Sequence, residues 1–171
     1  MSSNLGGMAA VDEVDRIVEA WVRERPDLDI APLRIFSRIS RLSRLLDLAR
    51  RSAFSRHGLE VWEFDVLSAL RRSGPPYELT PGNLIGQMLV SSGTMTNRID
   101  RLVLHSLVVR TADATDRRVV RVRLTDQGRD VVDAAMEDLL AREAELLSAL
   151  AEGEDEDLAR ILRSLLTQIE D

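Results

Sequence analysis

The sequence predicts a mainly α-helical fold carrying one small β-hairpin, and three observations predict it. Apolar residues recur at helical spacing along most of the 171-residue chain. Two Val-rich runs, residues 107–111 (LVVRT) and 119–124 (VVRVRL), flank a polar ADATDRR segment that puts Arg117 and Arg118 near a hairpin tip. Immediately before them, residues 79–104 read as two short helices joined by a tight turn.

Composition limits what such a chain can do. Hydrophobic residues make up 44% and charged residues 30%, which suits a folded core and fits neither disorder nor a membrane span. The start, MSSNLGGMAA, lacks a basic segment and a long apolar run, so a cytoplasmic location is expected in place of secretion. Cysteine is absent and the histidines are His57 and His105, which excludes disulfides and thiolate metal sites and disfavours a histidine metal site. No cofactor is expected. No phosphate loop or nucleophile–base spacing supports an enzyme. The net charge of −6 conceals a strong division. Residues 31–125 carry sixteen Arg against eight acids, whereas residues 126–171 carry four Arg against fourteen. A polyanion responds to the local surface, so the basic middle outweighs the acidic total.

In chain order, Val11, Val14, Val18 and Trp21 form the apolar stripe of a first helix whose other face is acidic. Pro26 and Pro32 bracket a connection. A long helix over about 32–55 follows, with Ile35, Ile39, Leu42, Leu46, Ala49 and Ala53 forming a narrow seam suited to another helix or subunit. His57-Gly58 ends it, and residues 59–72 form the next helix with Val61, Phe64, Val66, Leu67 and Leu70 inward. SGPPYE reads as a loop. Thr80-Pro81 marks a helix start, and Ser91 a second one, since a hydroxyl there accepts an orphan backbone N–H. Along residues 91–104, Met95, Ile99, Leu102 and Val103 face a core, leaving short polar side chains on the outer N-terminal face. Such a helix suits a DNA major groove, which makes the central region a winged helix-turn-helix. Beyond 126 two more helices are expected, interrupted by EGEDED, a solvated turn. The whole is read as one domain, 1–171: helical dimerisation arms at 10–57 and 126–171 around a DNA-binding lobe at 59–125.

At DATDRRVVRVRLTDQG and SGTMTNRIDRL the sequence resembles the MarR (multiple antibiotic resistance regulator) family of transcription regulators. Asp116, Arg118, Val122, Leu124, Thr125 and Gly128 meet its wing signature, and the likeness covers about residues 32–170. One departure is Ser106, where the family usually has glycine before the first wing strand. The resemblance implies a homodimer that binds a pseudo-palindromic double-stranded operator, usually represses transcription, and is released by a small ligand. Ser91 caps the recognition helix. Ser92, Thr94, Thr96 and Asn97 are then candidates for base edges or phosphates, and Arg98 and Arg101 for phosphate. Arg117 and Arg118 are candidates for the minor groove, oriented by Asp116 through a charge-assisted pair. Two-fold symmetry spaces the recognition helices by one helical turn, roughly 34 Å, or a multiple.

The added N-terminal helix with its tryptophan is similar to the PecS-type, urate-responsive branch of that family. There a Trp, an Asp and an Arg line a pocket, and the matching positions are Trp21, Asp65 and Arg98. Stacking on an indole, ring N–H donation to a carboxylate and arginine pairing with an anion are coherent chemistry for urate. Each residue also has a plainer role: packing for Trp21, an arginine pair for Asp65, a phosphate contact for Arg98, with Trp62 a rival aromatic. The competing function is a winged-helix dimer that serves as a protein-interaction module without specific DNA binding.

Overall fold

The computed structural model describes residues 11–113, 116 and 118–170, with only the backbone of Glu170. Seven helices and three strands are described: α1 (Glu13–Glu24), α2 (Ala31–Ser55), α3 (Val61–Arg72), β1 (Glu78–Leu79), α4 (Pro81–Met88), α5 (Ser92–Leu104), β2 (Val108–Ala112), β3 (Val120–Leu124), α6 (Asp126–Leu147) and α7 (Glu154–Glu170). They divide into two compact units, with the boundary inside α2 between Leu48 and Ala49. No helix among the described residues is long and apolar enough to cross a membrane.

In the N-terminal unit, Asp12 and Asp15 close a reciprocal capping box that starts α1. Arg38 of α2 then reaches both carboxylates, at 2.8 Å and 2.7 Å. The pairs hold both aspartates below the usual carboxylate range, chiefly through the arginine's hydrogen bonds. Val14 and Val18 are buried, while Trp21 is half exposed. The seam expected on α2 is wider than its spacing implied. Phe36, Leu45 and Leu48 are more than half exposed beside Ile35 and Leu42.

The second unit is organised around α3, on which Phe64, Val66, Leu67, Ala69 and Leu70 are buried. Phe54, at the end of α2, stacks on Phe64 with ring centroids 3.9 Å apart. Thr80 caps α4 by accepting the Asn83 N–H, and Pro81 follows at the first helical position, as read from sequence. The turn to α5 passes through Leu89 in a left-handed conformation (φ 51°). Met95, Ile99 and Leu102 bury the inner face of α5, but Val103, expected inward, is 37% exposed. A 100° step per residue carries it past the edge of the buried stripe.

The wing is a three-stranded antiparallel sheet in the order β1-β3-β2, not a simple hairpin. β1, at the end of the expected SGPPYE loop and the start of the stretch read as helical, pairs Glu78 with Arg123 and Leu79 with Val122. Two residues carry no detectable alternation, so only the partner strand makes them a strand. β2 and β3 pair from Val108↔Leu124 to Ala112↔Val120. EGEDED is also corrected: Glu154, Asp155, Glu156 and Asp157 form the first turn of α7, where carboxylates favour the exposed N–H groups.

The junction of wing and α6 is tightly made. Thr125 caps α6 by accepting the Gly128 N–H at 2.9 Å, and its hydroxyl donates to the Ser106 carbonyl at 2.8 Å. A Cβ added at Gly128 would overlap the Leu107 carbonyl oxygen. Ser106 itself sits at φ 60°, the left-handed conformation that glycine reaches without strain. Gly128→Ala should therefore cost roughly 3 kcal/mol of unfolding free energy in urea titration. Ser106→Gly should raise stability by up to about 1 kcal/mol.

Candidate nucleic-acid interface

Ser91, Ser92, Thr94, Thr96 and Asn97 are all exposed at the N-terminal end of α5. Ser91 Oγ accepts the Thr94 N–H at 3.2 Å and lies 2.8 Å from Thr94 Oγ1. Thr96 donates its hydroxyl to the Ser92 carbonyl at 3.0 Å. Its oxygen keeps lone pairs for an incoming donor, and the Asn97 amide presents both a donor and an acceptor. The first turn of α5 is thus a rigid array of short polar groups.

Arg98 and Arg101 do not simply project outward. Both guanidinium groups lie over the Trp62 ring, 5.5 Å and 4.8 Å from its centroid. Arg101 also donates to Glu60 Oε1 at 2.5 Å, and the Trp62 indole N–H donates to Glu60 Oε2 at 2.7 Å. These two hydrogen bonds, Trp62's first, hold the Glu60 carboxyl below its usual range.

On the wing, Arg118 is 91% exposed as a side chain. Asp116 accepts its backbone N–H at 3.0 Å and its guanidinium at 3.2 Å and 3.4 Å. Arg117 lies outside the described residues. Arg121 pairs with Asp113 and, at 3.6 Å, with Glu78, which holds the base of the wing. Arg110 on β2 pairs with Asp100 on α5 at 2.6 Å, tying the wing to α5.

A cleft of about 500 Å³ opens beside α3, lined by Arg50, Phe64, Asp65, Ser68, Arg72, Gln87, Met88, Met136 and Leu139. Arg50 donates to Asp65 at 3.1 Å. Burial raises the Asp65 carboxyl above its ordinary range, against the attraction of Arg50, Arg98 and Arg72 in that order. Desolvation thus outweighs three arginines. Among the described residues no cluster of three or more His, Cys, Asp or Glu could hold a metal ion.

The MarR family profile matches residues 57–119, from the end of α2 into the wing. Over 163 residues the chain is 37% identical to the HTH-type transcriptional regulator PecS of Dickeya dadantii, covering 95% of this chain and 96% of that protein. The chain belongs to the MarR family. It is also 32% identical to the transcriptional regulator MhqR of Bacillus subtilis, over 77% of this chain and 88% of that one. A mutant MarR from E. coli, solved in complex with operator DNA, superposes with a TM-score of 0.64 at 27% identity, over 80% of this chain and 95% of that one. A MarR family protein from Bacillus stearothermophilus shares the fold at a TM-score of 0.69 and 23% identity, over 95% of this chain and all of the other. As a MarR family member, this chain is a DNA-binding winged helix-turn-helix transcription regulator.

Within that frame, the expected ligand set is only partly assembled by the second unit. Asp65 feels the charge of Arg98, and Trp62 supplies the ring next to Arg98. Trp21 belongs to the N-terminal unit. Sequence reasoning missed Arg50 and Arg72 in the cleft and Glu60 at the interface. Arg72 had a findable signal, since seven residues separate it from Asp65, two helical turns along one face. Glu60 had none, because its partner lies 41 positions away.

The Asp65 shift yields a stability prediction. A carboxyl whose folded pKa is raised costs stability above that pKa, and the cost disappears as the pH falls through its unfolded value. Asp65→Asn should be more stable than the parent at neutral pH in urea titration, and the gain should shrink as the pH falls toward the ordinary aspartate range.

Proposed function

We propose that this MarR family regulator is a homodimeric repressor whose α5 helices and wings grip a pseudo-palindromic operator, and that a planar anionic ligand of the urate class releases it. The observation that carries the ligand reading is Asp65, where charges from α2 (Arg50), α3 (Arg72) and the recognition helix (Arg98) converge beside a cleft. Arg50 and Arg72 offer fixed cations to an oxyanion, and Asp65 offers an acceptor to ring N–H groups. A ligand that takes Asp65 as its partner changes the balance of charge on Arg98, and Arg98 moves with α5. By linkage, whatever the ligand loses in affinity on DNA, DNA loses on ligand.

Dimerisation is supported by apolar surface that a lone chain leaves in water. Leu140, Leu146 and Leu147 of α6, and Leu158, Ile161, Leu162, Leu166 and Ile169 of α7, are each 37% exposed or more. A monomer has no use for so much exposed leucine and isoleucine. Sedimentation should give a dimer, and Ile161→Glu with Leu162→Glu should give monomers that lose operator affinity.

Titrating urate against operator-bound protein tests the ligand reading. Release should occur below millimolar urate, and Arg72→Ala should abolish release while operator binding persists. No release at millimolar urate would refute urate as the effector. Arg118→Ala should weaken binding to operator and unrelated duplexes alike.

A further inference from the structure

Both oxygens of the Glu60 carboxylate are committed, one locally to α3 and the other across to α5. One accepts from the Trp62 indole at 2.7 Å and the other from the Arg101 guanidinium at 2.5 Å. At the start of α3 the Glu63 side chain accepts the Glu60 backbone N–H, at 2.9 Å. The group is a surface anion: the Glu60 side chain is 56% exposed and that of Arg101 44%. Arg98 and Arg101, three residues apart on one face of α5, both lie over the same indole. To Arg101, a carboxylate held in this way offers what a DNA phosphate offers, an oxyanion in hydrogen-bond reach of a planar fork.

We propose that Glu60 is an internal competitor for the DNA backbone, occupying Arg101 in the DNA-free protein so that a phosphate must displace it. Glu60 is then a positioning residue that acts through Arg101 and sets how tightly any duplex is held. Trp62 is the platform that keeps both arginines in place while the oxyanion is exchanged. The exchange also alters the salt response. An arginine already neutralised by Glu60 contributes little counterion release when it moves to phosphate, whereas an unpaired one contributes a full increment. This inference rests on α5 contacting DNA and is independent of the ligand reading.

The test uses the full-length protein with operator and sequence-unrelated duplexes over a range of salt. Glu60→Gln should tighten both duplexes by about two- to fivefold at low salt, the scale of an exposed ion pair. It should also steepen the slope of log K against log salt by about one. Glu60→Asp retracts the carboxylate by one methylene at unchanged net charge and suits a helix N-cap, so it should tighten binding in the same direction. In an Arg101→Gln background neither substitution should have an effect. In a Trp21→Phe protein, leaving Trp62 as the reporter, duplex should shift the emission, and Arg101→Gln should remove the shift. Several outcomes overturn the proposal. They are unchanged affinity and slope in both Glu60 variants, a gain that persists without Arg101 (a general field effect), and an emission shift indifferent to Arg101. A parent protein that binds neither duplex removes the DNA reading and this inference together, whereas binding without the Glu60 response removes this inference alone.

Discussion

The burial of α3 on nearly every side is the constraint from which the second unit follows. Seven of its twelve residues are buried, Glu63 and Ser68 among them, and it packs against α4, α6, β1 and β3. A helix so enclosed cannot rotate without disturbing the whole core, because interiors are packed at crystal-like density. What its two edges carry is therefore held rigidly. Near its N-terminus Glu60 and Trp62 meet the arginines of α5. Further along, Asp65 and Arg72 line the cleft. Helix α5 and the cleft are thus both anchored to the same stretch of α3, so the coupling proposed between them needs no long path.

The basic middle of the chain is less freely positive than its arginine count suggests. Arg101 is paired with Glu60, Arg110 with Asp100, Arg118 with Asp116 and Arg121 with Asp113. Each pair fixes a long side chain that would otherwise sample many rotamers, and each lowers the field that a passing duplex meets. The interface trades long-range attraction for preset geometry. On the proposed reading, such a surface depends on contacts made at close range, from the polar first turn of α5 and the exposed tip arginine.

Burial also explains why the cleft is an unusual environment for a carboxylate. Three arginines would ordinarily pull an aspartate well below its normal range, yet Asp65 is shifted upward. Desolvation dominates because the cleft walls include Phe64, Met88, Met136 and Leu139, which solvate no charge.

Much of this protein was legible in its sequence. The caps at Thr80 and Ser91, the Met95–Ile99–Leu102 stripe, the two long wing strands and the polar face of α5 are local properties, set by spacing and by side chains that bond to nearby backbone. At Ser106, where the family usually has glycine, the backbone adopts the left-handed conformation with serine in place. What stayed illegible required residues far apart in the chain. β1 exists because β3 offers it hydrogen bonds, Gly128 is required because the Leu107 backbone comes close, and Glu60 gains a role only when α5 packs beside α3. The sequence by itself determined the cores of the helices, the two long wing strands and which face of α5 is polar, because those follow from short-range periodicity. Only the tertiary structure decided which arginines are neutralised and by what, because charge pairing depends on distance in space and not along the chain.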